Sequence, residues 1–368
     1  MKKDLGKKTV AVGLSGGVDS AVTAYLLKEQ GFNVIGFFMR NWDSTTNFEL
    51  NNILTEDEIC QQEEDYNDAV EVARHLGIEI VRVDFVKEYW DHVFSVFLKE
   101  IEMGITPNPD ILCNRHVKFK AFTDYIFTNY PDVDFVATGH YAKVGQKFGK
   151  YKLMMAKDDW KDQTYFLAEI QKEILPKILF PLGEFTKPQI REIALKAELP
   201  VANKKDSTGI CFIGKRNFPE FISNYLEDNP GDIVDIKTNK VVGQHRGVLF
   251  YTIGQRKGLN LGGFERPYFV AKKDVKKNIL YVSNGDSDIL FTNIVTAKDF
   301  NYLVDEKAVK GFVKIKTRHS NVTYWGRVIK NSDGKVRIKT KQKIKAVTPG
   351  QELVIYKGKV CLGGGQIV

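Results

Sequence analysis

Three short stretches of this 368-residue chain combine residue types that can do chemistry. The first is Gly13-Leu14-Ser15-Gly16-Gly17-Val18-Asp19-Ser20. Glycines let backbone N–H groups approach an anion without interference from a Cβ. A helix opening after them adds its unpaired N–H groups and the positive end of its dipole. Ser15 and Ser20 supply hydroxyl donors, and Asp19 a carboxylate. The string lacks the Gly-Lys-Ser/Thr of the usual nucleotide-triphosphate loop and the G-x-G-x-x-G of a dinucleotide fingerprint. It does satisfy G-x-S-x-G, the nucleophile elbow of hydrolases. It follows the first strand, however, so no upstream strand could furnish an oxyanion hole. The simplest alternative is a plain tight turn.

The second stretch is Thr106-Pro107-Asn108-Pro109-Asp110-Ile111-Leu112-Cys113-Asn114-Arg115. Its two prolines predict an ordered loop rather than a helix interior. Asp110 and Cys113 are three residues apart, so one helical turn would put them on the same side. A carboxylate beside a thiol can shuttle its proton, and Arg115 and His116 could favour the thiolate. The third stretch runs from Lys204 to Arg216 around Cys211. Lys204, Lys205, Lys215 and Arg216 would lower the pKa of that thiol in an accessible loop. A cysteine can equally be a small buried hydrophobe, and that is the expectation for Cys60 and Cys361. No C-x-x-C pair occurs, so a local zinc site is not expected, nor is a structural disulfide framework.

The elements that must position these residues follow a strand–helix rhythm. Thr9–Leu14, Asn33–Phe38, Glu79–Val83 and Phe135–Ala137 read as strands. Helices are expected at Asp19–Glu29, Tyr66–Leu76, Val86–Met103, Lys118–Thr128 and Thr186–Leu199. The expected fold is therefore α/β, with a Rossmann-like parallel sheet whose ligands bind beyond the carboxyl ends of the strands. Past residue 215 short strands with Gly, Asn and Asp turns take over, and Ser332-Asp333-Gly334 signals a hairpin. Three domains are expected: 1–214 catalytic, 215–284 central and mainly β, and 285–368 a β-barrel or sandwich.

The charge is uneven. The chain carries +8, yet residues 301–368 hold 15 Lys and Arg against 4 Asp and Glu. Such a surplus is either a solvated basic face or a surface for phosphate backbones. The opposite extreme, 41–70, has nine acids and no Lys or Arg, and reads as a solvated loop and helix start. Hydrophobic residues at 43% and charged residues at 27% exclude general disorder. No run of 18 apolar residues exists, so no membrane helix is expected. The apolar run Thr9–Leu14 is too short for a signal-peptide core, and the expected location is cytoplasmic.

Ser-Gly-Gly-Val-Asp-Ser resembles the loop of ATP pyrophosphatases, which split ATP into AMP and pyrophosphate. That resemblance implies that Gly13, Leu14, Ser15, Gly16, Gly17, Val18, Asp19 and Ser20 hold ATP, with Asp19 helping to place Mg2+. It also puts Met39 and Gly139 at the adenine edge, although Met39 alone would read as core packing. Added motifs narrow this further: Thr-Pro-Asn-Pro-Asp-x-x-Cys-Asn, Ala137-Thr138-Gly139-His140-Tyr141, Lys161-Asp162-Gln163, Asp206-Ser207-Thr208-Gly209-Ile210-Cys211-Phe212-Ile213-Gly214, Gly243-Gln244-His245-Arg246-Gly247 and Tyr251–Gly258. Over essentially its full length the chain resembles the bacterial tRNA 2-thiouridylases.

The resemblance implies adenylation of the C2 oxygen of the wobble uridine and its replacement by sulfur. Cys211 would carry the sulfur as a persulfide, and Cys113 would attack it, releasing sulfide or leaving a Cys113–Cys211 disulfide. Asp110 would be the acid/base. Asn108, Pro109 and Asp110 would contact the target base, and His140, Lys161, Asp162, Gln163, Arg318, His319 and Gln351 the tRNA. His319 stands where the family usually has tyrosine, and the basic barrel of 285–368 would grip the tRNA backbone near the anticodon. Implied partners are tRNAs for Lys, Glu and Gln and a cysteine desulfurase or sulfur-relay protein. Two other readings are weighed against this one. An amidating ATP pyrophosphatase would need an ammonia source, and no glutaminase domain is recognisable. An RNA-binding module with a degenerate nucleotide site would not need the intact loop.

Overall fold

The computed structural model describes residues 8–43, 56–147, 149–206, 221–285 and 287–368. Two compact units emerge. Among the described residues, one is drawn from 1–93, 110–214 and 359–361, and the other from 94–109, 215–358 and 362–368.

The first unit is built on a parallel sheet. Strands β1 (Thr9–Gly13), β2 (Asn33–Arg40), β3 (Glu79–Asp84), β4 (Val133–Ala137) and β7 (Ile178–Leu179) lie in the order β3-β2-β1-β4-β7. The adjacent pairs are parallel, as alternation with helices requires. β5 (Ala142–Lys147) and β6 (Lys150–Met155) form an antiparallel hairpin. Val10, Val12 and Leu14 are buried with Val18, Ala21 and Val22 of helix α1 (Val18–Glu29), so the sheet centre and α1 share one core. Helix α2 (Glu56–Leu76) starts earlier than the apolar pattern suggested. The expected helix over 86–103 is broken by a π-helical segment at Trp90–Phe94. Pro109, expected in a loop, opens a helix at Pro109–Leu112. Proline suits a first helical turn, because its missing N–H would have no partner there. The chain then continues as a π-helix over Cys113–Ala121, with a non-helical Phe119.

The second unit contains two β layers of its own. β8 (Gly231–Asp235), β9 (Val241–His245), β10 (Tyr268–Asp274) and β11 (Ile279–Asn284) form a four-stranded sheet in the order β10-β11-β8-β9. Ile233, Val248, Val270, Leu280 and Val282 fill its core. β12 (Phe291–Tyr302), β13 (Phe312–Lys316), β14 (Tyr324–Ser332), β15 (Lys335–Lys345), β16 (Glu352–Lys357) and β17 (Val360–Ile367) follow in the order β12-β15-β14-β13-β16-β17. A pairing of β12 with β17 closes the ring, so the barrel form holds over the sandwich. The hairpin at 332–335 is as expected. Asp333 and Gly334 both have positive φ, 56° and 67°, the conformation a two-residue turn needs to match strand twist. Residues 94–109 belong to this unit because Phe94 packs on Phe221 and Tyr225, and the Thr106 N–H bonds to the Pro349 carbonyl.

Candidate active site

The loop between β1 and α1 is held open by its own hydroxyls. The Ser15 N–H donates to Ser20 Oγ at 3.1 Å, and Ser20 Oγ donates to the Gly17 carbonyl at 3.0 Å. Gly16 has φ +69°, and a Cβ there would lie 2.1 Å from the Asp65 carbonyl oxygen, so only glycine fits. No side chain caps α1 at Gly17, which leaves the first N–H groups of the helix facing the loop. Met39 and Gly139 come to the same place. The Met39 methyl lies 3.2 Å from where a Gly13 Cβ would stand, and a Cβ on Gly139 would be 3.0 Å from the Ser20 nitrogen. The ends of β1, β2 and β4 thus bring together the residues the sequence assigned to ATP.

Asp19 is fixed by residues the sequence analysis missed as site residues. Lys187 Nζ sits 2.8 and 2.9 Å from its two carboxylate oxygens, and the Tyr141 hydroxyl donates to it at 2.9 Å. Burial, and then the Asp19 charge, pushes the Tyr141 hydroxyl far above its usual range, so it stays a neutral donor. Lys187 also pairs with Asp206 at 2.8 Å, and Asp206 takes Lys161 at 2.9 Å and Arg191. Burial opposes ionisation of Asp206, but hydrogen bonds from Lys187 and Lys161 outweigh it and hold the carboxyl well below the ordinary range. On the other side, Lys204 Nζ donates to the Gly16 carbonyl at 3.0 Å, to Asp65 at 2.7 Å and to Asp68. Burial disfavours the Lys204 charge, yet bonds to Asp65 and Asp68 raise its pKa. Two acids of the 41–70 stretch therefore anchor the loop, where the sequence suggested plain solvation. The available signals were thin: Lys187 opens a helix after the Thr186 cap, and Lys204 looked like a neighbour of a thiol.

Asp110 and Cys113 lie one turn apart on the helix that begins at Pro109, as their spacing predicted. Cys113 is buried, with 1% exposure. Its cationic neighbours do not serve as expected. Arg115 pairs with the buried Glu169 at 2.9 Å. His116 stacks on His92 with ring centroids 5.5 Å apart, and its pKa falls to about 4 through burial, then Arg115 and His92. It is neutral at pH 7 and offers no charge to a thiolate. Asn114 donates to the Phe166 carbonyl at 3.1 Å, while its buried Oδ1 has no hydrogen-bond partner among the described residues.

The other residues tied to tRNA fall into different settings. His140 bonds through Nδ1 to Thr138 Oγ at 2.8 Å, between the rings of Phe119 and Phe180. Burial, then Lys118, holds it neutral. Asp162, 1% exposed, accepts from the Ala156 N–H and the Thr164 hydroxyl. Gln163 Oε1 accepts the Tyr141 N–H at 2.9 Å, so this stretch supports the tyrosine that meets Asp19. In the second unit, Asn108 is half-buried, Pro109 buried and His319 exposed. Arg318 donates to the Ala346 carbonyl at 2.7 Å. Gln351 Nε2 donates to the Thr106 carbonyl at 3.0 Å and to that of Pro107 at 3.4 Å. Cys361 is buried in β17, as expected. Cys211 and the Cys60 side chain lie outside the described residues.

Among the described residues no cluster of His, Cys, Asp and Glu could hold a metal by itself. A lone carboxylate beside a phosphate loop does suit Mg2+, which binds through one or two carboxylates and substrate phosphates. Asp19 is the carboxylate beside this loop, and here both of its oxygens are held by Lys187. No described helix is long and apolar enough to cross a membrane.

The family described as tRNA methyl transferase HUP domain matches residues 8–215, its PRC-barrel counterpart 219–284, and the aminomethyltransferase beta-barrel domain 292–367. The tRNA-specific 2-thiouridylase MnmA of Mycoplasma mycoides subsp. mycoides SC is 52% identical over 98% of both chains. The chain belongs to the tRNA-specific 2-thiouridylase family. A more distant member, from Bacillus cytotoxicus, is 47% identical over 97% of this chain and 94% of its own. Among solved structures, a 4-thiouridine synthetase–RNA complex with bound ATP aligns at TM-score 0.32 with 15% identity, covering 59% of this chain and 49% of that one.

Proposed function

We propose that this protein is an ATP-dependent tRNA-uridine 2-sulfurtransferase acting on the wobble uridine. The observation that carries this reading is its 52% identity, over 98% of both chains, to a tRNA-specific 2-thiouridylase. The geometry of the loop is what the first step requires. A pyrimidine C2 carbonyl is amide-like and its oxygen leaves poorly. Attack of that oxygen on the α-phosphorus of ATP expels pyrophosphate and turns the oxygen into part of a phosphate leaving group. The N–H groups of Gly16 and Gly17 and the hydroxyls of Ser15 and Ser20 line the place where phosphate charge accumulates. Mg2+ would be held through Asp19 and would neutralise phosphate charge. Lys187, already bound to Asp19, stands ready to meet the same charge.

The second step replaces the oxygen. Cys211 carries a persulfide delivered by a cysteine desulfurase or relay protein. The Cys113 thiolate attacks the Cys211 sulfur, forming a Cys113–Cys211 disulfide and expelling hydrosulfide. The hydrosulfide adds to C2, AMP leaves, and the thiocarbonyl forms. A thiol reductant then restores both cysteines. Asp110, one turn from Cys113, moves the protons. Asn108 and Pro109 border the base, and the target uridine must leave its stack to reach the nucleotide. Arg318, His319 and the remaining basic barrel residues hold the tRNA, with the Lys, Glu and Gln isoacceptors as substrates.

Mass spectrometry of tRNA nucleosides tests the reading. Incubation of unmodified tRNA with the protein, ATP, Mg2+, a desulfurase and cysteine should give 2-thiouridine at the wobble position, with one AMP per thiolation. ATP–pyrophosphate exchange supported by a small acid without RNA would point to an amidating ligase instead.

A further inference from the structure

The barrel carries a feature that the nucleotide site does not use. Strands β13, β14 and β15 contain ten Lys and Arg and no Asp or Glu. Alternation turns most of these outward, because Val336, Ile338 and Thr340 face the core between exposed Lys335, Arg337, Lys339 and Lys341. Across the strands, exposed Arg327 stands opposite Lys339, and exposed Lys330 opposite Arg337. Like charges directly opposite each other on one sheet face are destabilising. Among the described residues none of these six cations has an acidic partner. Three large apolar side chains share the face: Phe312 at 61% exposure, Trp325 at 51% and Ile329 at 49%. Phe312 pairs with Arg327, and Trp325 with Lys314, whose Nζ lies 5.3 Å from the indole centroid.

We propose that this outer face of β13–β15 is a tRNA-binding surface in which a row of cations follows the phosphate backbone while Trp325 and Phe312 stack on unpaired bases. The proposal rests on the reading that tRNA is the substrate and that the basic barrel holds it, and names the face and the side chains that do so, apart from Arg318, His319 and Gln351. The four outward cations of β15 span about 20 Å at two-residue intervals, a line suited to a chain of phosphates rather than to one carboxylate. Rings interleaved with Lys and Arg are what single-stranded nucleic acid needs, since every base has a π face. The opposed like charges are relieved once phosphates lie between them.

The test measures binding of an unmodified tRNA transcript to the full-length protein at several salt concentrations, without ATP or sulfur donor. The variants are Arg327→Gln/Arg337→Gln/Lys339→Gln together, Trp325→Ala, and Trp325→Phe. The triple variant should weaken binding at least tenfold and flatten the log–log salt slope by about two to three, one increment per lost phosphate contact. Trp325→Ala should weaken binding about fivefold or more with an unchanged slope, and Trp325→Phe should restore most of it. Thermal melting matched to wild type confirms that these exposed positions leave the fold intact. Unchanged affinity and slope in the triple variant would overturn the proposal. So would a triple variant that binds tRNA normally but loses thiolation only when a protein, not inorganic sulfide, supplies the sulfur, since the face would then receive an acidic protein. A wild-type protein that binds tRNA through this face yet makes no 2-thiouridine would overturn the proposed function and leave this surface standing.

Discussion

Around the glycine loop, Asp19 meets Lys187 and Tyr141, Asp206 meets Lys161, Lys187 and Arg191, and Lys204 meets Asp65 and Asp68. On the outer strands of the barrel, Arg327 faces Lys339 and Lys330 faces Arg337. The two regions arrange their charges under opposite rules. In the loop the charges are matched and partly buried, which fixes dipoles before the reaction begins. On the barrel they are exposed and opposed, which suits a surface whose counter-charge arrives with the ligand. Substitutions in the loop should therefore change rates, and substitutions on the barrel should change affinities.

The largest effect should come from Cys113. Cys113→Ser should lower thiolation by more than about a thousandfold, because a serine hydroxyl cannot take part in disulfide exchange at neutral pH. Melting temperature and tRNA affinity should stay close to wild type. Full thiolation with a physiological sulfur donor would contradict the assigned role. Lys187→Met comes next. It strands the Asp19 and Asp206 carboxylates without the ammonium that bridges them. Adenylation should slow about a hundredfold, with tRNA affinity and its salt slope unchanged. A variant whose affinity fell while its rate held would erase the contrast between the two regions.

What the sequence made legible was local. The glycine loop, the strand–helix alternation, the Asp333-Gly334 turn and the one-turn spacing of Asp110 and Cys113 all depend on neighbouring residues, and spacing carries such information. The partners of Asp19 did not appear, because Lys187 is 168 positions away and no periodicity says which cation meets which acid. Lys204 reaches Asp65 across 139 positions for the same reason. The π-helical segments at Trp90 and Cys113 were also invisible, since an apolar stripe looks alike on either helix. The role of His116 was hidden too, since its sequence neighbours are basic whereas its ring stacks on that of His92.

The same histidine gives a pH test confined to the catalytic unit. His116 titrates near 4 in the folded protein, against an ordinary value of 6.5. Between these values the unfolded chain binds the extra proton, so stability rises with pH. The contribution is complete above pH 6.5 and is lost as pH falls to 4. After discounting for the ring's partial exposure, the loss should be about 1–2 kcal/mol. Melting curves from pH 7 to 4 should show it, and His116→Gln should flatten that part of the profile.

The smallest effect separates two roles for Gln351. If its amide contacts tRNA, Gln351→Ala should raise the dissociation constant. In the structure that amide already donates to the carbonyls of Thr106 and Pro107, just before Asn108 and Asp110. The same loop is held by the Thr106 N–H on Pro349, and the Gly350 backbone packs so closely that a Cβ there would lie 2.1 Å from Ile105. Losing one such hydrogen bond is worth about 1 kcal/mol, or roughly fivefold. A brace transmits that loss to the placement of the base, so kcat should fall about fivefold while binding and salt slope hold. Gln351→Glu sharpens the distinction. A carboxylate cannot donate to the two carbonyls and would repel a nearby phosphate, so a brace predicts the same kcat loss as alanine, whereas a tRNA contact predicts weaker binding than alanine at low salt.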